Sequence, residues 1–507
     1  MLTGKMSVSL AAGVFIVSFL LSCSCIPLVI RRFQKRLPAL GQLHHTHKVP
    51  VPRFGGIALI IPFILIALVV FIWFPSAPDR VVIRTTILVT GVMMFLLGFL
   101  DDLRPLGAKR KLVAQVAIST AAWFGGIQIT TFGNPLGDEI YQLGWLSWPL
   151  TVVWLVTLTN LINLADGIDG LAGGIGFMLM LLLVFVGWGY QAPFTTLCAV
   201  AMCGALLGFL RHNFPPAKIY MGDGGAYFIG FLIGLLSIVG SQKGTIAGAL
   251  VAPAFALALP IIDVSLAILR RGLKGLPIFR PDRRHIHHHL QAGGLTRRQT
   301  VLLLYSISLV FLVSAFAIFL IRERWLPLMI GAVFLLGLLV AGRFDFSREW
   351  LSVSRVIGNS LEMRKDIQYA LLLGRWLELE AERCDSIDDL WDDFKFVVRK
   401  VEFSKVELHL DGTVCSWQNL LQPGQEDEFR IVQHDLPGNH AMSLHFTGHS
   451  AVMKPEQFEI ISELMAEAWL KATRRWQALH NQPIWMAVTS SDDVAEISLA
   501  ATASAVD

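Results

Sequence analysis

Asn160-Leu161-Ile162-Asn163-Leu164-Ala165-Asp166-Gly167-Ile168-Asp169-Gly170-Leu171-Ala172-Gly173-Gly174 puts two carboxylates among glycines, between the apolar runs 147–164 and 171–188. Each run approaches the length of a membrane span, about 20 residues. A carboxylate at a membrane boundary is costly to desolvate and calls for an explanation. Asp-Gly is also a common turn pair. On its own, the segment therefore supports either a loop or a site.

Working outward, apolar runs recur at 8–30, 55–74, 83–100, 112–131, 147–164, 171–188, 193–210, 224–240, 247–269, 300–321 and 325–342. These make about eleven spans by the length rule. The chain is 54% hydrophobic and 16% charged, against about 25% charged in soluble proteins. After Arg343 ordinary soluble sequence begins. The expected fold is an α-helical polytopic membrane protein with a C-terminal soluble α+β domain. Its divisions are 1–342 for the membrane domain, 343–485 for the α+β domain and 486–507 for a disordered tail. Lys5 and Leu21-Ser22-Cys23 resemble a lipoprotein signal, but the apolar run continues to Ile30 and stops at Arg31-Arg32. A retained first span is the better reading. The six cysteines show no CxxC pattern and read as free thiols.

Lys and Arg set the orientation. They gather after the first run (Arg31, Arg32, Lys35, Arg36, Lys48, Arg53), after the third (Arg104, Lys109, Arg110, Lys111), after the seventh (Arg211, Lys218) and after the ninth (Arg270 to Arg298). These loops are expected in the cytoplasm. That places the N-terminus outside and, with an odd number of spans, the tail inside. The net charge of +4 says little about partners, and nucleic acid is not expected.

The acids fall on the same side as the basic loops. Asp101-Asp102 ends the third run. Asp166 and Asp169 lie between the fifth and sixth. Asp223 sits in Met221-Gly222-Asp223-Gly224-Gly225, and His285-Ile286-His287-His288-His289 follows the ninth. Singly each has a bland reading as a helix end, a turn or a His-rich loop. Together on one face they point to one site. Magnesium takes hard oxygen ligands, commonly one or two carboxylates plus substrate phosphates. It offsets the charge of two phosphorylated reactants. Lys48, Lys111 and the loop arginines supply further positive charge, and histidine can donate a proton or contact phosphate near neutral pH.

These segments resemble the polyprenyl-phosphate N-acetylhexosamine-1-phosphate transferases over roughly residues 8–342. Asp101-Asp102 is similar to the family's aspartate pair, followed by Lys111 and Gln115. Asn163 to Ala172 carries the Asn-x-x-Asp-Gly-x-Asp-Gly-Leu-Ala signature. Gly222 to Gly225 carries Gly-Asp-x-Gly, whose aspartate binds magnesium in the family. His285, His287 and His288 match His-x-His-His, and Lys48 to Gly56 resembles the first cytoplasmic loop. Pro281 to His287 and Thr296 to Gln299 look like the subgroup using simple UDP-N-acetylhexosamines. The pentapeptide enzymes carry an acid where this chain has Gln291. His289 stands where teichoic-acid starters tend to have arginine, which leaves the sugar open.

The resemblance implies attack of a polyprenyl phosphate oxygen on the sugar-proximal phosphorus of a UDP-sugar, with UMP leaving. Expected catalytic residues are Asp101, Asp102, Asp166, Asp169 and His287. Expected metal ligands for Mg2+, with Mn2+ as substitute, are Asp223 and Asp102. Expected substrate contacts are Lys48, Lys111, Asn160, Asn163, Asn213, His285, His288 and His289. Implied partners are a UDP-N-acetylhexosamine, undecaprenyl phosphate and the lipid bilayer. A homodimer is left open, and the implied location is a bacterial inner membrane. An aspartyl phospho-enzyme route stays open beside direct displacement. The competing class is an ion- or proton-coupled transporter, since membrane carboxylates and broken helices fit that too. Against it, the acids cluster at one boundary.

In the tail, residues 346–400 read as helical. Short alternating segments follow at Lys405 to Leu410, Thr413 to Trp417, Phe429 to His434 and Ala441 to Phe446, and a helix runs from Pro455 to about Asn481. Turn residues punctuate them. The order weakly resembles a GAF or PAS regulatory domain. The plainer reading is a module that docks a regulator or a downstream glycosyltransferase. His409, His434, His440, His445 and His449 read as scattered structural histidines.

Overall fold

The computed structural model describes residues 7–33, 51–73, 78–133, 140–241, 293–321, 353–410, 413–419, 429–436, 442–449 and 453–481, with a few positions between 261 and 291. The expected spans at 247–269 and 325–342, and the segment 486–507, lie almost wholly or wholly outside the described residues. The chain divides into two compact units.

The larger unit is helical. Its described helices are α1 (Val8–Phe33), α2 (Ile57–Trp73), α3 (Pro78–Leu103), α4 (Ala108–Phe124), α5 (Ser147–Ala165), α6 (Leu171–Gly189), α7 (Pro193–Asn213), α8 (Gly222–Ser241) and α9 (Arg297–Ile321). Each falls on one of the expected apolar runs. Seven are long and apolar enough to cross a membrane, and α2 is a shorter apolar helix. Apolar side chains such as Ile72, Val113 and Val153 point outward from them. In water such a surface would aggregate, whereas a hydrocarbon layer is its natural solvent.

The fourth run departs from expectation. It was expected to span 112–131, but α4 stops at Phe124, with Gly125 at its C-cap. The chain then forms β1 (Thr131–Gly133), paired antiparallel with β2 (Ile140–Gln142). Hydropathy alone does not reveal this break, because Ile127 and Ile129 continue the apolar character and are themselves buried.

Helix α8 is the hub. Of its membrane-length window 89% is buried, against 28% for α1 and 33% for the described part of α9. It packs against α3 and α5 most extensively, and also against α6, α2 and α7. Small residues allow this. A Cβ at Gly230 would strike the backbone of Leu158 and Thr159 on α5. Close backbone approach through small residues is the usual route to helix association in lipid, where no hydrophobic force separates helix from solvent.

The smaller unit is α+β. Helices α10 (Val353–Glu380) and α11 (Ile387–Lys400) precede strands β3 (Lys405–Leu410), β4 (Thr413–Gln418), β5 (Phe429–Leu436) and β6 (Met442–His449); α12 (Pro455–His480) closes it. The sheet is antiparallel in the order β4-β3-β6-β5. Val406, Leu408 and Leu410 alternate inward along β3. They meet a core in which Phe394 and Trp469 lie 4.8 Å apart and Phe403 and Phe446 5.0 Å apart. The helical stretch expected over 346–400 is broken in two. Ser386 starts α11 with a capping box: its hydroxyl accepts from the Asp389 amide, and its own amide donates to the Asp389 carboxylate. This satisfies two helix-end groups and fixes the start of a new helix.

Candidate active site

Asp101 and Asp102 occupy the last turn of α3. Consecutive residues on a helix of 3.6 residues per turn point about 100° apart, so the two carboxylates face different partners. Asp101 turns toward α4. One oxygen accepts from the Leu106 amide at 2.6 Å and the other meets the Lys111 ammonium at 2.5 Å. Asp102 turns toward α8 and accepts from the amides of Asp223 and Gly224, each at 3.0 Å. The first amides of a helix have no partner within it and carry its positive pole. Asp102 therefore fastens the end of α3 to the start of α8.

Two glycines make that junction feasible. Gly222 has φ +75, a region that L side chains rarely adopt, and a Cβ there would meet the Arg53 carbonyl and the Asp102 carboxylate. On α3, a Cβ at Gly98 would run into the Asp223 carbonyl group. The first described loop joins from another side: the Tyr220 amide donates to the Pro52 carbonyl, and the Gly55 amide donates to the Tyr220 carbonyl.

Asp223, in the first turn of α8, approaches the same lysine, with Lys111 Nζ 3.2 Å from its Oδ2. The Asp101 side chain is nearly buried, while those of Lys111 and Asp223 keep about a quarter of their surface open. One ammonium thus sits between two carboxylates at the rim of the helix cluster. Asp166, just past the end of α5, faces the start of α8 near Gly222. Burial, reinforced by the charges of Asp223 and Asp102, pushes its carboxyl well above the usual carboxylate range. The Arg53 charge works the other way.

The remaining expected residues are placed as follows. Asp169 accepts from the Ala217 amide at 3.1 Å. The Asn213 side chain accepts from the Gly170 amide and donates to the Ile219 carbonyl. Both therefore bind the 166–170 loop to the 213–219 loop. Tyr305 of α9 donates to the Gly170 carbonyl at 2.5 Å, and Arg298 donates to the Pro215 carbonyl at 2.7 Å. The Asn160 amide donates to Gln115 on α4 at 2.7 Å and to the Val156 carbonyl. Asn163 is half-buried at the end of α5. Lys48, His285, His287, His288 and His289 lie outside the described residues.

One contact was not anticipated. The buried Tyr227 phenol lies beside the Asp223 carboxylate. The spacing is i, i+4, which places both on one helix face. In an apolar run such a tyrosine reads as ordinary core, so only the acid four residues earlier signals it.

Asp101, Asp102, Asp166 and Asp223 thus converge from three helix ends around one cation and the positive end of α8. The donor set is hard oxygen, and it already draws in an ammonium. Both features suit a divalent ion of the magnesium class together with phosphate oxygens.

Comparison with known proteins bears on the same stretch. Residues 84–241, which contain all four acids, match the model of glycosyl transferase family 4. A Bacillus subtilis protein named as a probable undecaprenyl-phosphate N-acetylglucosaminyl 1-phosphate transferase is 37% identical over 304 residues, covering 59% of this chain and 83% of the relative. The chain belongs to the polyprenyl-phosphate N-acetylhexosamine-1-phosphate transferase family. A decaprenyl-phosphate N-acetylglucosaminephosphotransferase of Mycobacterium tuberculosis is 30% identical over 339 residues, covering 61% of this chain and 83% of the relative. A phospho-N-acetylmuramoyl-pentapeptide-transferase of Halalkalibacterium halodurans is 28% identical over 314 residues, covering 59% and 94%. This transferase is therefore a multi-pass membrane enzyme, and nothing among these relatives supports the transporter reading.

Proposed function

We propose that this enzyme transfers N-acetylglucosamine-1-phosphate from UDP-GlcNAc to undecaprenyl phosphate. UMP is released, and the product starts a lipid-linked cell-surface polysaccharide. The observation that carries the reading is the convergence of Asp101 and Asp223 on Lys111, with Asp102 locking α3 to α8. The names of the two more similar relatives support GlcNAc over the muramoyl pentapeptide. In the reaction, a lipid phosphate oxygen forms a bond to the sugar-bearing phosphorus, and the bond from that phosphorus to the UMP oxygen breaks. Such transfer depends on positioning and on stabilising charge where it develops.

Asp223, with Asp102, would hold Mg2+, which supplies charge neutralisation for the phosphates when bound. Asp101 and Lys111 flank the lipid phosphate, and Lys111 exchanges a carboxylate partner for a phosphate oxygen. Asp166 and Asp169 orient the nucleotide side. Lys48 and the histidines at 285–289 complete the phosphate and sugar contacts. The site and the C-terminal unit face the cytoplasm of a bacterial inner membrane, as the basic loops indicate. That unit docks a regulator or a downstream glycosyltransferase.

The test supplies membranes containing the protein with undecaprenyl phosphate, Mg2+ and either radiolabelled UDP-GlcNAc or UDP-N-acetylmuramoyl-pentapeptide. UMP release with the first donor is expected. Release only with the second, or with neither, rejects the assignment. Inversion at a chiral phosphorus supports direct displacement, and retention supports the aspartyl intermediate.

A further inference from the structure

We propose that the solvent-facing side of the C-terminal sheet is a transition-metal site of the zinc class, formed by Glu407, His409 and His445. Sequence separates His445 from Glu407 and His409, but strand register brings it to them. Glu407 on β3 is the direct cross-strand partner of His445 on β6. His409 lies two residues along β3, on the same face, because side chains alternate along a strand. One donor atom from each residue can be chosen so that all lie within 4.8 Å of one another. The two imidazole rings stack, with centroids 4.2 Å apart and an interplanar angle of 29°.

The detail favours a ligand set over a plain cross-strand pair. Lys405 holds one Glu407 oxygen at 2.6 Å, leaving the other 3.5 Å from His409 Nε2. That nitrogen is shielded from solvent and makes no hydrogen bond. A shielded nitrogen whose nearest polar neighbour is a carboxylate at 3.5 Å is poorly satisfied, and a metal between the two would satisfy both. Zinc bonds to nitrogen and carboxylate oxygen are about 2.0–2.2 Å long, which sets neighbouring donors on a tetrahedral ion roughly 3.3 Å apart. The 3.5 Å pair is already near that value. Rotation of His445, whose Nε2 shares a 3.2 Å contact with the Ser443 hydroxyl, closes the third. Two imidazoles with one carboxylate suit zinc, cobalt or nickel, and differ from the all-oxygen set that suits magnesium. Asp435, opposite Ser443 on β5, adds negative charge on this face. His434 provides the contrast: it hydrogen-bonds Ser462 of α12 at 2.9 Å and pairs with the buried Leu444.

The experiment uses the full-length protein, metal-free, in detergent micelles, with amide hydrogen exchange read by mass spectrometry. Excess Zn2+ is expected to slow exchange in Lys405–Leu410 and Met442–His449, and Mg2+ is not. His409→Ala and His445→Ala each abolish the slowing and lower bound Zn2+ by one per chain, while His434→Ala retains both. Glu407→Gln keeps the sheet and weakens binding at least about tenfold. Absence of slowing in the wild type, equal slowing by Mg2+, or slowing that survives both histidine variants would overturn the assignment. Zinc held by histidines elsewhere leaves these strands unprotected and counts against it.

Discussion

Lys111 between Asp101 and Asp223, and Lys471 beside Glu467 on α12, are both ammonium–carboxylate contacts, at 2.5 and 3.2 Å in the first case and 2.8 Å in the second. In the helical unit the lysine is mostly enclosed, one carboxylate is nearly buried and three helices supply the charges. In the α+β unit both partners keep roughly half of their side-chain surface open and lie one helical turn apart. Solvent screens the second pair, and such pairs contribute about 0–1 kcal/mol. The first sits where charge is expensive to keep, so its persistence demands a use. The same residue types therefore form an enclosed three-helix cluster in one unit and a solvated single-helix pair in the other, and burial separates the two.

The largest effect that would sharpen this contrast is on Asp223. Asp223→Asn removes a charge from the cluster while keeping its shape, and turnover is expected to fall about a hundred- to a thousand-fold, even at raised Mg2+. Near-normal UMP release would break the comparison. Gly98→Val tests the junction without altering any charge. It forces a side chain against the Asp223 backbone, and a loss of roughly 1–3 kcal/mol in stability is expected, read as a lower unfolding temperature in detergent. An unchanged temperature would show that α3 and α8 need not touch there. In the other unit, Ser386→Ala removes only the α11 cap, and about 1 kcal/mol should be lost with no change in turnover. The smallest effect on chemistry is expected from ending the chain after Gly342, which should leave basal turnover. A stable but inactive truncated protein would make the second unit part of the catalytic machinery.

Most of the helical unit was legible because long apolar runs have one physical meaning, and Asp101, Asp166 and Asp223 stood out against them. The break after Phe124 was not, because Ile127 and Ile129 carry apolar character past the end of the helix. The gap between α10 and α11 was hidden for the opposite reason. Asp385 to Asp393 reads as an acidic helical stretch, and the cap at Ser386 announces itself only through its partner Asp389. The division of labour between Asp101 and Asp102 follows from helix geometry once α4 and α8 are known to flank α3, and adjacency in sequence cannot give that. His409 and His445 looked scattered because cross-strand register is set by turns and core packing, and neither can be read from spacing.

The near-complete enclosure of α8 also bears on how the protein is made. Its principal neighbours α3 and α5, and α2, α6 and α7 as well, all precede it in the chain. A nascent chain folds from its beginning as it emerges, so the slot for α8 is lined before α8 arrives. The amino-terminal end of that helix then meets the Asp102 carboxylate on α3 and the Lys111 ammonium on α4, both already made, so the junction that joins these helices closes late in biogenesis.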